Sequence, residues 1–156
     1  MNKQFKKAIL LGILVLIFVA FLDIKAAQSG LFGSLPEYTN GDYTRGWWDL
    51  FQWIVLVSFA FVPICYYFFY KKDKSEAIAI YLTSYIMWIS GLADIFYFWL
   101  QGVAIPETLP WLINHPTMSK IAEFINVPTI TPLVLIISVS IGFIAVMGLT
   151  KYMEKI

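Results

Sequence analysis

One carboxylate inside a long apolar segment constrains this chain more than any other feature. The segment from Glu76 to Gln101, EAIAIYLTSYIMWISGLADIFYFWLQ, is long enough to cross a bilayer and carries Asp94 well inside it. An ionised aspartate at mid-membrane costs at least ~2.5–3.5 kcal/mol on insertion scales. On one straight helix, Glu76, Thr83 and Ser90 fall within about 40° of Asp94. We therefore expect this polar stripe to face other helices or a wet cavity, and not lipid.

The composition places the rest of the chain in the same environment. Of 156 residues, 60% are hydrophobic and only 13% are charged, whereas soluble domains average about 25% charged residues. The length predicts a single polytopic membrane domain, 1–156. One cysteine and one histidine exclude an internal disulfide and a multi-histidine metal site. No metal or cofactor is expected. No nucleic acid is expected either, because the sequence has no basic stripe to suggest it and the net charge is only +1.

Four apolar stretches predict an all-α integral membrane protein. The transmembrane helices are expected at about 7–24, 47–70, 77–101 and 131–150, in an up-down antiparallel bundle. The first stretch also fits a signal peptide, because Ala27-Gln28-Ser29 offers a small-x-small cleavage pattern; we favour the helix. Pro63 should kink the second span, and Pro132 should open the fourth. In the second long loop, Thr117–Asn126 predicts a short amphipathic helix that lies in the interface or dips into it.

The distribution of Lys and Arg predicts the orientation. Eight of the eleven basic residues lie at the two termini and in the turn at 71–74. We therefore expect a multi-pass protein of the cell membrane with both termini cytoplasmic and both long loops outside. Ser138 and Gly142 form a small-xxx-small pair, which lets another helix approach closely. That helix could belong to another membrane subunit or to a second copy of this chain.

The predicted outer half holds most of the chemically reactive side chains. Asp94, His115 and Glu107 are the candidate acid–base residues for catalysis. The candidate ligand-binding residues are Arg45, Trp48, Asp49, Gln52, Trp53, Ser90, Tyr97, Gln101 and Trp111. Together they suggest an outward-facing cavity, part carboxylate and part aromatic, that suits an amphiphile. The alternative is structural: Asp94 forms a hydrogen bond with Arg45, Lys25 or a packing serine or tyrosine.

Three hypotheses on function remain open. The first is an accessory subunit of a membrane complex, or a module that binds membrane lipid or another amphiphile. The second is a metal-free intramembrane isomerase or hydrolase that uses Asp94 on a lipid-like substrate at the outer leaflet. The third is a small proton-coupled transporter or channel. Chain length and span number are similar to those of lipoprotein signal peptidases, but the paired-aspartate motifs of that family are absent, so no family is assigned.

Overall fold

The computed structural model describes residues 3–28, 45–70 and 74–154, with side chains for 5–25, 53–69 and 74–154. These residues form helices and loops, with no strand among them. The α-helices are α1 (Lys3–Gln28), α2 (Arg45–Tyr70), α3 (Lys74–Ile89), α4 (Leu92–Gln101), α5 (Pro116–Phe124) and α6 (Pro132–Met153). A short 3-10 helix, Pro110–Leu112, lies between α4 and α5. The expected all-α class is confirmed.

Two of the helices are long and apolar enough to cross a membrane. They are α1, over Phe5–Lys25, and α6, over Pro132–Met153. A third span is possible if α3 and α4 are counted together, although their axes meet at 75°. The part of α2 from Trp53 to Phe69 is apolar but shorter, and α2 continues through Pro63. These features are those of a helical membrane protein, and the count of four spans stays a prediction.

Helix α3 lies at the centre of the bundle. It contacts α1, α2 and α6, and α1 contacts α4 as well. Leu16, Phe59 and Met87 are fully buried in the core that these helices share. Four polar side chains of this region are also buried, namely Glu76, Thr83, Ser84 and Ser90. The polar stripe therefore faces other helices along α3, as the sequence predicts.

Small residues set the closest approaches to α3. A Cβ added to Gly12 would lie 2.8 Å from Cβ and Cγ2 of Thr83, so α1 could not come as close with any larger residue. A Cβ on Gly142 would lie 2.7 Å from Cβ of Ser90. Ser138 and Gly142 are both buried, and the residues that a Cβ on Gly142 would meet are Ser90 and Met87 of the same chain. This pair offers no free surface in the monomer for the self-association considered above.

The predicted third span breaks at Ser90-Gly91, and the expectation of one straight helix to Gln101 is wrong. The Gly91 N–H donates to the carbonyl of Trp88 at 2.9 Å, a tight bond that ends α3. Gly91 has φ 91, a left-handed conformation that favours glycine. A Cβ at this position would also collide with the side chains of Met118 and Leu135. Since the axis turns here, the angular count from Glu76 does not extend to Asp94.

The residues between the break and α6, 92–130, form a cap on one end of the bundle. The Leu109 N–H donates to the carbonyl of Ile130 at 2.8 Å and joins the two ends of the loop. Leu109, Leu112 and Met118 are buried against the first turns of α6. The predicted short helix is present as α5, which begins at Pro116 with His115 as its N-cap and ends at Phe124. The expected start of α6 at Pro132 is confirmed.

Candidate functional site

The site is built around the first turn of α4. Asp94 is the third residue of that helix and is half-buried. The first N–H groups of a helix have no partner within it, and the helix dipole makes this end favourable for negative charge. The break after α3 thus places an aspartate at a helix start deep within the chain's apolar sequence.

Trp111 is the side-chain donor to Asp94. Its indole N–H donates to Oδ1 of Asp94 at 3.3 Å. The 3-10 helix holds Trp111 in place, and its ring packs against Phe98 of α4 with ring centroids 6.0 Å apart. Both Asp94 and Trp111 were predicted as site residues, and the structure brings them together. The predicted alternative donors to Asp94 did not include an indole from the loop.

A second carboxylate, which the sequence interpretation missed, approaches from α1. Asp23 lies close enough to Asp94 for the two charges to interact, and α1 packs against α4. On the α1 helix, Asp23 falls within about 40° of Leu16 and Val19, and both of these are buried. Asp23 therefore projects from the face of α1 that points into the bundle. One signal was available: in the antiparallel arrangement, the first and third spans end on the same side of the membrane.

The charges of the pair determine what the site favours. Two carboxylates in a poorly hydrated site repel each other, and burial makes each ionised form costly. The indole N–H of Trp111 is a neutral donor, so it does not neutralise a carboxylate charge. A positively charged group near the two carboxylates would remove this repulsion.

His115 and Thr117 attach the cap to the break. The Thr117 hydroxyl donates to the carbonyl of Ile89 at 3.4 Å, and its oxygen lies 3.0 Å from Nδ1 of His115. Ile89 is the last residue of α3, so its carbonyl is one that a helix end leaves unpaired. His115 is half-buried, and this burial lowers the pKa of its imidazole below the ordinary value of 6.5. The ring is neutral at neutral pH.

The other predicted site residues lie elsewhere. Glu107, Gln101 and Trp53 are exposed. Ser90 donates to the carbonyl of Met87 at 2.7 Å and packs against α6, so it serves the bundle. Tyr97 packs edge-on against the ring of Phe98. The remaining predicted side chains lie outside those described: Arg45, Trp48, Asp49 and Gln52.

Comparison of the chain with protein-family models, with curated proteins and with solved structures finds no match. A function therefore has to be argued from the geometry of the site alone. The part of the chain that the structure describes offers a carboxylate pair, an indole donor and a neutral imidazole attached at the helix break.

Proposed function

We propose that this protein binds a membrane amphiphile with a positively charged head group, and that it does so as an accessory module of a membrane complex. The observation that carries the proposal is the approach of Asp23 and Asp94 from two packed helices, α1 and α4. A cationic head group near the two carboxylates would remove their repulsion.

The surroundings of the pair support an amphiphile over a free cation in water. Asp23 belongs to α1, a helix long and apolar enough to cross a bilayer. The side of α1 opposite Asp23 carries exposed large apolar residues, among them Leu14, Phe18 and Phe21, as expected of a helix in contact with lipid. A ligand whose tail stays in the bilayer reaches such a site from the membrane, where its local concentration is high. The head group then brings a positive charge to the two carboxylates.

The distribution of Lys and Arg supports the finer topology. We propose four spans, a location in the cell membrane and cytoplasmic termini, because eight of eleven basic residues lie at the termini and in the turn at 71–74. The site then faces the outer leaflet. A Glu107→Cys variant in a Cys65→Ala background should react with a membrane-impermeant maleimide on intact cells. Reaction only after the cells are opened would reverse the orientation.

A binding experiment tests the function. The purified protein in phosphatidylcholine nanodiscs is titrated with dodecylamine, dodecanol and dodecyl sulfate, and binding is followed by native mass spectrometry. We expect the amine to bind best, and Asp94→Asn and Asp23→Asn each to weaken it roughly tenfold, which corresponds to about 1.4 kcal/mol. Glu123→Gln is the matched control, because it removes an exposed carboxylate of α5. Equal binding of amine and alcohol, or an unchanged affinity in Asp94→Asn, would refute the proposal.

The same carboxylate pair favours one second candidate, a metal-free hydrolase. Two carboxylates that share one proton can cleave an ester or amide with water. The ionised carboxylate takes a proton from water, the water oxygen bonds to the carbonyl carbon, and the other carboxyl group protonates the carbonyl oxygen. When the bond to the leaving group breaks, the leaving group receives the proton that the first carboxylate took from water. The hydroxyl formed from the carbonyl oxygen returns its proton to the second carboxylate as the carbonyl re-forms. Turnover of an ester lipid that is lost in both Asp23→Asn and Asp94→Asn would favour this candidate over simple binding.

The transporter hypothesis receives less support from α3. The hydroxyls of Ser84 and Ser90 donate to backbone carbonyls, and Met87 between them is fully buried and apolar. This face resembles a packed helix interface more than a hydrated path. We therefore propose that the function depends on Asp94, at the α4 end of the predicted polar stripe, and not on the polar residues along α3.

A further inference from the structure

The apolar arc of helix α5 is wider than the surface that packs against the rest of the protein. On a helical projection, the apolar residues run from Ala122 through Met118 and Ile121 to Phe124, an arc of about 160° that is interrupted only by Thr117 beside Phe124. Met118 and Ala122 are buried against α6, and Ile121 is half-buried. Phe124 is 90% exposed, the highest value among the exposed large apolar side chains described. The contact with α6 therefore uses only one side of the arc.

The opposite edge of α5 is polar. Ser119 and Glu123 both lie about 160° from Ile121, and Lys120 lies about 40° from Phe124, at the other edge. Lys120 and Glu123 are exposed. A helix with one apolar side, a charged edge and an aromatic residue at the boundary has the composition of an interfacial helix. A basic side chain beside the aromatic ring can extend its amine to the head groups.

The position of α5 in the fold places it at a membrane boundary. Met118 of α5 and Leu135 of α6 meet at Gly91, where a Cβ would touch both. Leu135 belongs to the first turns of α6, a helix able to cross a bilayer. Other parts of the cap also expose large apolar side chains, with 66% of Trp99, 53% of Val103 and 52% of Ile113 accessible. A cap surrounded by water would leave this whole set hydrated.

We propose that the cap lies in the bilayer interface, with Phe124 inserted among the acyl chains and Glu123 at the water side. The partner is the phospholipid leaflet that meets the first turns of α6. Because Met118 packs over Gly91, three residues before Asp94, the depth of α5 also sets the depth of the carboxylate pair. The cap then holds Asp23 and Asp94 at the level of the lipid head groups.

Site-directed spin labelling tests this placement. Cys65 is the single cysteine, so a Cys65→Ala background accepts one nitroxide at Phe124→Cys or, as the matched control, at its neighbour Glu123→Cys. Both positions are exposed, so neither label has to displace packed residues. In phosphatidylcholine vesicles, collisions with dissolved oxygen report the bilayer, and collisions with a nickel chelate report water. We expect an oxygen-to-nickel ratio several-fold higher at 124 than at 123.

Two outcomes would overturn the proposal. Equal ratios at the two positions, or a higher ratio at 123, would place α5 in water. A label at 124 that is shielded from both reagents would indicate a protein partner or a second copy of the chain on this face. Asp23 and Asp94 are unchanged in these variants. The failure of this placement would therefore leave the proposed amphiphile binding untouched, and loss of that binding would leave this placement standing.

Discussion

Glu76 and Asp94 were predicted on one stripe of one helix, yet the structure gives them opposite surroundings. Glu76 begins the straight half of the segment, is 3% exposed and accepts a hydrogen bond from the Tyr66 hydroxyl at 3.0 Å. Asp94 begins the half after the break, where it meets the Trp111 indole and a second carboxylate, Asp23. Both acids thus accept a hydrogen bond from a neutral donor, but Asp94 also has a like charge nearby.

This difference separates a structural acid from a candidate site. A buried carboxylate with a good hydrogen-bond donor holds two helices in register, and the Tyr66–Glu76 pair joins α2 to α3. A carboxylate beside another carboxylate does not stabilise an empty fold, because the repulsion has to be offset by a proton or a cation. Position on an apolar helix is therefore less informative about function than the charge of the neighbour.

The largest expected effect concerns the break that divides the two halves. Gly91→Ala adds a Cβ that collides with Met118 and Leu135, in a backbone conformation at φ 91 that alanine disfavours. We expect a loss of roughly 2–5 kcal/mol in the free energy of unfolding, the sum of overpacking and backbone strain. Thermal unfolding of the purified protein in detergent, followed by circular dichroism, measures it.

Gly102→Ala is the matched control for this prediction. Gly102 ends α4 with φ 66, but nothing lies within 4 Å of an added Cβ. Only the backbone term remains, so we expect a loss of about 1 kcal/mol. Equal losses in the two variants would mean that Gly91 is required for its conformation alone, and that the cap does not press on the break.

The break at Ser90-Gly91 is a feature that the sequence did not predict. The apolar periodicity of the segment predicts a helix on both sides of Ser90-Gly91, and periodicity alone does not show a change of axis. A Ser-Gly pair is a known cause of kinks, but whether it bends depends on what packs against it. Here Met118 and Leu135, from α5 and α6, occupy the space that a side chain at Gly91 would need. Those contacts are distant in sequence.

Features that depend on nearby residues could be predicted from the sequence. Contacts between residues that are distant in sequence could not. The all-α class, the short helix after His115 and the start of α6 at Pro132 follow from composition and from proline position. The carboxylate pair depends on the packing of α1 against α4, and the sequence gives no direct measure of that contact. Trp111 was expected near Asp94 because both were assigned to the outer half, but the hydrogen bond itself required the fold.

The next prediction compares the two acids directly. Asp94→Asn removes one of two repelling charges and keeps an oxygen that can accept from Trp111, so we expect the unliganded protein to gain about 1 kcal/mol of stability. Glu76→Gln replaces a charge-assisted hydrogen bond from Tyr66 by a neutral one, so we expect a loss of about 1 kcal/mol. Unfolding midpoints at neutral pH measure both.

If Glu76 is structural and Asp94 belongs to a site, their substitutions must change the stability in opposite directions. Glu123→Gln, on the exposed edge of α5, serves as the reference for removing a carboxylate without a buried partner and should leave the midpoint unchanged. A loss of stability in Asp94→Asn as large as that in Glu76→Gln would show that Asp94 also serves packing. The functional distinction between the two halves would then disappear.

The smallest effect is a pH dependence that originates in the cap over the α4 half. Burial lowers the pKa of His115 below 6.5, so the folded protein binds the proton less readily than the unfolded chain. The stabilising contribution of His115 to the free energy of unfolding is complete above pH 6.5. It is lost as the pH falls from 6.5 toward the lowered pKa of His115 in the folded state. The slope stays below the ~1.4 kcal/mol per pH unit of one fully coupled proton.

His115→Asn removes this proton and keeps a polar group near Thr117, so the difference between its unfolding free energies and those of the wild type should narrow on acidification. Because the carboxylates are common to both proteins, the difference isolates the single histidine. A difference that does not change between neutral pH and pH 5 would mean that the cap does not bury His115, and that the break is held by Thr117 alone.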